Sequence, residues 1–342
     1  MGEINKNDTS LIFPFDNRQN EVKLEIYADE SFTTVNPKWL YLGVIFIPTN
    51  KKEESLNKLY DLRCLQKNSW HDNIMECNCG HHDENNKEIH YGKIKLNSQL
   101  KISKRWIENF LMEYCVRNKA LYLNILGIDL QKLDMKNFGK QKKQYISIYN
   151  RFFRTAVIGG LKYFFDDIHR VKVVRILHDY DQQKDSPLFR SHIIKKMKEN
   201  LINVVSPELE LIDSDHQKSG KKESNFIQLI DIILGAVQSC FHHVSNLQKR
   251  ALGQSFLPCL KILVNRGDGG LYYRSQYYRR FQISFFPKSS ISRIPYKNLD
   301  LFENEIENQL ANNNQFYYNR PITLKHPSPY SLENWGVKIN DA

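Results

Sequence analysis

At 342 residues, with 41% hydrophobic and 25% charged side chains, the chain suits one large folded domain with embellishments rather than a disordered or fibrous polymer. No run approaches the ~20 apolar residues of a membrane span, and there is no apolar leader or regular cysteine spacing. A membrane protein and a secreted disulfide scaffold are therefore set aside, and a reducing, cytoplasmic setting is expected.

The formal net charge of +11 is unevenly spread. Residues 93–154 carry 14 Lys/Arg against 4 Asp/Glu, and residues 245–297 carry 10 against 1. Concentrated basic regions favour a polyanionic partner, because neutralised phosphates release counterions. Solvated basic faces on an ordinary protein are the competing reading.

In chain order, residues 1–20 read as a polar tail. "KLEIYADES" (Lys23–Ser31) predicts a first strand with Leu24, Ile26 and Ala28 on one face, and "WLYLGVIFIP" (Trp39–Pro48) a second. Helical spacing follows in "KEESLNKLYDLRCL", then an irregular Cys/His/Asn-rich insertion over 69–86. "EIHYGKIKL" (Glu88–Leu96) suggests a short strand. "KRWIENFLMEYCVRN" predicts a helix burying Trp106, Phe110, Leu111 and Tyr114. Ala120–Leu130 reads as a strand and 142–165 as a long helix that Gly159 and Gly160 threaten to interrupt. "VKVVRILHDYD" (Val171–Asp181) is a β-branched strand, "FRSHIIKKMKENLI" a helix and "ELELIDSD" a strand. "SNFIQLIDIILGAV" (Ser224–Val237) is a helix with Ser224 as N-cap. Interleaved strands and helices predict one α/β domain over 21–300, a mixed sheet covered by helices, with a C-terminal extension over 301–342.

Three carboxylates need an explanation. Asp231 lies in a helix apolar nearly all round, where an unpaired charge costs several kcal/mol, and Gln228 sits one turn earlier as support. Asp29 and Asp179 each close an apolar strand, and strand ends of open α/β sheets are common ligand and metal sites. Taken singly each fits a turn-former or a satisfied buried acid. Together they make a hard-oxygen set suited to Mg²⁺ or Mn²⁺, the donor set of metal-dependent phosphodiester hydrolysis.

"YADES" followed by "EIHYGKI" and "IQLIDIILGAV" resembles a bacterial family of ribonuclease H-like proteins, catalogued as domain of unknown function 3800. Its members read Y-x-D-E-S-G, E-I-K-x-x-K and Q-L-A-D-L-x-A-G in that order, and the resemblance covers roughly residues 22 to 290. It implies an RNase H-like fold with the acids gathered at one edge of the sheet. Asp29, Asp179 and Asp231 would be metal ligands, Glu88 a fourth carboxylate, and the activity a two-metal-ion nuclease acting on RNA or DNA. The family's company suggests phage defence or a mobile element. Phe32 stands where the family has glycine and His90 where it has lysine. Glu30, adjacent to Asp29 and facing the other way, and His178 and Asp181, flanking Asp179, are supporting candidates. The rival reading is a non-catalytic module that binds nucleic acid or a protein partner, a second copy included.

Two further segments carry chemistry. "CNCGHHD" sets Cys77, Cys79, His81 and His82 close enough for structural Zn²⁺, although the spacing is tighter than in common fingers, adjacent histidines do not easily share one ion, and a polar insertion is the favoured reading. "LYYRSQYYRRF" (Leu271–Phe281) interleaves Arg274, Arg279 and Arg280 with Tyr277 and Tyr278, as a stacking platform for unpaired bases or as a plain strand. Lys93, Lys142 and Lys143 are candidate phosphate contacts.

Overall fold

The computed structural model describes residues 21–33, 38–65, 88–94, 97–138, 144–165, 170–179, 187–199, 202–205, 209–215, 221–242, 244–264 and 271–287. Its core is one seven-stranded mixed sheet. Strands β1 (Glu21–Phe32), β2 (Trp39–Pro48) and β3 (Tyr122–Asp129) form an antiparallel meander. Strand β4 (Arg170–Asp179) joins β1 in parallel and carries β5 (Asn203–Val204) and β6 (Leu209–Ile212) on its outer edge. Strand β7 (Phe281–Phe286) closes the other edge, parallel to β3. The fold is α/β with a mixed central sheet flanked by helices, as the sequence predicts.

Both faces are covered, which is why β2 reads as a continuous apolar run and not as an alternation. One face packs on α3 (Gln144–Phe165) and α4 (Pro187–Glu199) through Leu24, Ile26, Ala28 and Ile176. The other, carrying Tyr27 and Leu177, packs on α5 (Ser224–Phe241) and α6 (Leu247–Val264). Helix α1 (Lys52–Asp61) leads away from β2. Helix α2 starts at Asn97–Arg105 and runs on through π-turns (Trp106–Cys115) to Asn118, burying Trp106, Phe110, Leu111 and Tyr114 as expected. Helix α5 has the length and apolarity of a membrane span, but every one of its residues is buried inside the domain.

Four expectations need correcting. Residues 88–94 form no strand: His90 is extended and Tyr91–Lys93 make a 3₁₀ turn, and the Ile89 and Tyr91 N–H groups go to side chains of α5 and not to a neighbouring strand. Helix α3 passes Gly159 and Gly160 unbroken, its apolar face held against β2 and β3. The N-cap of α5 is Glu223, without a side-chain capping bond, and Ser224 is already helical. Residues 271–280 form a helical turn (Leu271–Arg274) and further turns, so the strand begins only at Phe281. Helix α6 adds to the elements expected from the sequence and carries Pro258 inside it.

The β1/β4 pairing contains a bulge. Leu24 pairs with Val173 but Glu25 pairs with Arg175, leaving Val174 as the extra residue.

Below the bulge a network of charges ties β1, β4 and α5 together. Arg175 bridges Glu25 (3.0 Å), Glu223 (3.5 Å) and Glu210 (3.5 Å), and Lys52 bridges Glu223 (2.9 Å) and Glu25 (3.3 Å). Tyr27 donates its hydroxyl to Glu25 at 2.7 Å. Burial pushes the Glu25 carboxyl up, but bonds from Arg175 and Tyr27 and the charges of Arg175 and Lys52 outweigh it, so its pKa is lowered. Glu223 is lowered on the same balance, with Lys52 the leading partner. A folded-state pKa below the unfolded one stabilises above the unfolded value and is lost as pH falls through the folded one. Urea unfolding should therefore give a midpoint that is steady near neutrality and drops once pH passes below the ordinary Glu value of 4.5. Glu25→Gln should be less stable at neutral pH and show a shallower acid limb; an unchanged acid limb would remove Glu25 from this account.

Candidate active site

The parallel pairing of β1 with β4 ends at Ala28 opposite His178. Asp29 and Asp179 therefore follow side by side, where β1 loses its parallel neighbour, although β1 itself continues to Phe32 against Leu40 of β2. The chain turns beyond that, with Thr33 and Trp39 bonded to each other, so Phe32 occupies plain strand and needs no glycine. Asp29 lies across from Gly43 on β2, on the face that α5 covers. A Cβ on Gly43 would come 2.5 Å from Ile230, so α5 crosses the sheet at this level. Asp231 is the next residue. Asp29 and Asp231 are both buried, and Asp29 Oδ1 accepts the Glu30 N–H at 2.7 Å.

Positions 228, 231, 235 and 239 of α5 follow helical spacing and form one stripe. Segment Glu88–Tyr91 is docked along it. Gln228 Oε1 accepts the Ile89 N–H at 3.0 Å, and Asp231 Oδ2 accepts the Tyr91 N–H at 2.6 Å. The Tyr91 ring lies over Gly235, where a Cβ would come within 2.1 Å, and its hydroxyl pairs with Ser239 at 2.9 Å. Lys249 of α6 stands 4.2 Å from the centre of that ring. The spacing Gln-x-x-Asp-x-x-x-Gly is thus a docking surface as much as a ligand motif.

A second link reaches β4. Gln228 Nε2 donates to the Ser214 carbonyl at 2.7 Å. Ser214 donates its N–H to Asp179 Oδ1 at 3.1 Å and its hydroxyl to Glu88 Oε1 at 2.8 Å. One serine therefore spans two of the four expected carboxylates, and the glutamine behind it belongs to the helix that supplies Asp231. Arg63, buried against Trp106, holds that glutamine at 3.2 Å and Asn225 at 2.7 Å.

Charges respond to this crowding. Burial pushes the Asp231 carboxyl up; the Glu88 charge adds to the rise, while His90, the Tyr91 N–H and Lys249 oppose it. Burial also works against Glu88, but bonds from Lys93 and Ser214 with the charges of His90 and Lys93 leave it lowered. Lys93 is raised chiefly by its bond to Glu88, with Asp215 and Asp213 adding to it. His90 Nδ1 accepts the Gly92 N–H at 2.8 Å and lies 3.8 Å from Asp231 Oδ2. The donors are carboxylate oxygens, which suit Mg²⁺ or Mn²⁺. Among the described residues, no three His, Cys, Asp or Glu side chains already converge on one point as a metal cage.

No family model matches the sequence, and no curated protein matches it. A solved structure does: the PCNA:RNase HII complex from Archaeoglobus fulgidus, over 69% of this chain and 89% of that chain, with 10% identity and a TM-score of 0.31.

The remaining sequence candidates fall in different places. Glu30 and His178 face α3, with His178 Nε2 beside the Tyr149 hydroxyl and 3.4 Å from Glu30 Oε2, so His178 lies on the opposite side of the sheet from Asp179. Its Nδ1 is 2.7 Å from the Asp179 carbonyl. Lys93 is at the site as the partner of Glu88. Arg274, Arg279, Arg280, Tyr277 and Tyr278 precede β7, at the far edge and the opposite end of the sheet. Tyr277 is buried and stacked on Phe281, so its ring is unavailable to a base, whereas Tyr273 and Tyr278 are exposed. Asp181, Lys142, Lys143, Cys77, Cys79, His81 and His82 lie outside the described residues.

Sequence reasoning passed over Ser214, Asp213, Asp215 and Tyr91. "IDSD" after β6 had the same signal as the other strands, carboxylates closing an apolar run. Tyr91 had none, because its role depends on a glycine 144 positions later.

Gly235→Val should displace the Tyr91 ring and cost about 1–3 kcal/mol of stability by overpacking. Urea unfolding of the purified variant, with and without Tyr91→Ala added, measures it. The second substitution should recover part of the loss, and no recovery would mean that the ring is not what the glycine accommodates.

Proposed function

We propose that the protein is a metal-dependent nuclease of RNase H-like type that hydrolyses phosphodiester bonds of RNA or DNA. One observation supports this reading: Asp29 and Asp179 follow the shared stretch of two parallel strands side by side, α5 crosses the sheet at the level of Asp29, and its Asp231 is bonded to the segment that carries Glu88. Carboxylates from four separated segments are tied to one framework, and the burial of Asp29 and Asp231 within it carries a desolvation cost. The resemblance of "YADES" and "IQLIDIILGAV" to the ribonuclease H-like family supports the same assignment.

In this reading Asp29, Asp179 and Asp231 hold Mg²⁺ or Mn²⁺, and Glu88 completes the set once Lys93 yields it. Such an ion supplies Lewis-acid stabilisation of the charge that develops on a phosphodiester. The protein's own contribution is placement. Tyr91 and Gln228 fix the helix relative to segment 88–91, and Ser214 sets the Asp179 and Glu88 carboxyls at a common level. The raised Asp231 carboxyl is one that a cation would relieve.

The Lys93–Glu88 ion pair favours a second reading, a binding module of the same fold whose acids are satisfied internally. Asparagine separates the two. It keeps an acceptor oxygen for the Tyr91 N–H while removing the charge, so the fold should survive. Asp29→Asn and Asp231→Asn should each lower Mn²⁺-dependent cleavage of labelled oligonucleotides by more than the roughly 10–100-fold that loss of a supporting partner costs, with binding unchanged. A wild-type protein that binds single strands, duplexes and hybrids but cuts none of them would establish the module instead.

A further inference from the structure

The end of the sheet opposite the carboxylates carries a feature that the acidic site does not explain. Lys23, Lys51, Asn118, Lys119 and Tyr122 line an open groove of about 620 Å³, with Glu21 the one acidic residue in its lining. It crosses the ends of β1, β2 and β3, since Leu24 pairs with Pro48 and Phe46 with Tyr122. The line continues to β7: Arg280 lies 4.9 Å from the centre of the Tyr122 ring, and its carbonyl accepts the Leu123 N–H.

Two properties of these cations bear on the groove. Lys23, Lys119 and Arg280 have no acidic partner among the described residues, which they share with surface lysines elsewhere such as Lys104 and Lys195, but here they lie along one groove. Lys51 pairs with half-exposed Glu54, at 3.3 Å. The second property is in the backbone. Among the described residues the two non-glycine positions with left-handed φ are Lys119 (52°) and Arg279 (51°). Both are basic, and both stand just before strands of one parallel pair, hence at the same end of the sheet. Glycine or asparagine would adopt that conformation more easily, so the long cationic side chains are kept there against a local preference.

We propose that this groove binds the phosphate backbone of a single-stranded nucleic acid and anchors it away from the cleavage site. Exposed Tyr273 and Tyr278, whose ring centres are 5.6 Å apart, continue the track as stacking surfaces, with Arg279 6.0 Å from the Tyr278 ring. Lys23 is six residues from Asp29 along β1, roughly 20 Å, so the two sites act on different stretches of one strand. This deepens the nuclease reading by naming where its substrate is held, and it is tested without turnover.

The test is fluorescence anisotropy in EDTA with the full chain and labelled single-stranded RNA and DNA of about 20 nucleotides, over about 50–200 mM salt. Lys23→Gln, Lys119→Gln and Arg280→Gln combined should weaken binding roughly 10-fold and lower the slope of log K against log salt by about 2, three contacts at ~0.7 each. Far-ultraviolet circular dichroism and a melting curve confirm that the variant is folded. A charge-matched control combines Lys104→Gln, Lys195→Gln and Lys198→Gln. Unchanged affinity and slope in the groove variant, or an equal loss in the control, overturns the groove and leaves the cleavage assay standing. A wild-type chain that binds neither oligonucleotide overturns the groove, and the nuclease reading falls separately only if cleavage is also absent.

Discussion

The arrangement of the acidic site depends on one docking event, segment Glu88–Tyr91 laid along a single stripe of α5. Neither partner could hold its conformation alone. The segment has no strand to pair with, so its N–H groups would be orphaned on burial. The helix would carry Asp231 into an apolar core without the Tyr91 N–H, and Gln228 would keep only Arg63 and Ser214 among the partners described above. Each supplies what the other lacks, and the contact brings Glu88 and Asp231 to the level where β1 and β4 part. The docking bonds themselves come from backbone amides, while the His90 side chain caps the turn that follows.

Much of this was legible in the sequence where the signal was local. The strands around Asp29 and Asp179 and the apolar helix around Asp231 are written in hydrophobic pattern, and so was the α/β class. What stayed hidden depends on distant partners. Glu88–Leu96 reads as a strand because its apolar residues are real core residues; only the position of α5 shows that its amides bond elsewhere. Ser214 carries no sequence signal at all, since a serine in a polar loop is the commonest of residues until Asp179 and Glu88 are seen on either side of it. Tyr277 and His178 illustrate the converse. Their residue types suit base stacking and proton transfer, but an aromatic side chain in the core satisfies burial just as well.

Charge is distributed in two regimes. Around α5 the ionised groups are partnered, through Arg175 and Lys52 at one level and Lys93 at another, so that they organise the fold. At the far end of the sheet Lys23, Lys119 and Arg280 are left without acidic partners among the described residues.

The bulge at Val174 has an effect out of proportion to its size. Strand side chains alternate, so one inserted residue reverses the parity of everything after it. Were β4 continuous with the register set at Leu24 and Val173, the residue abreast of Asp29 would be His178, and Asp179 would point into the aromatic packing of α3. The single supernumerary valine is what turns an acid, in place of an imidazole, toward the helix that carries Asp231.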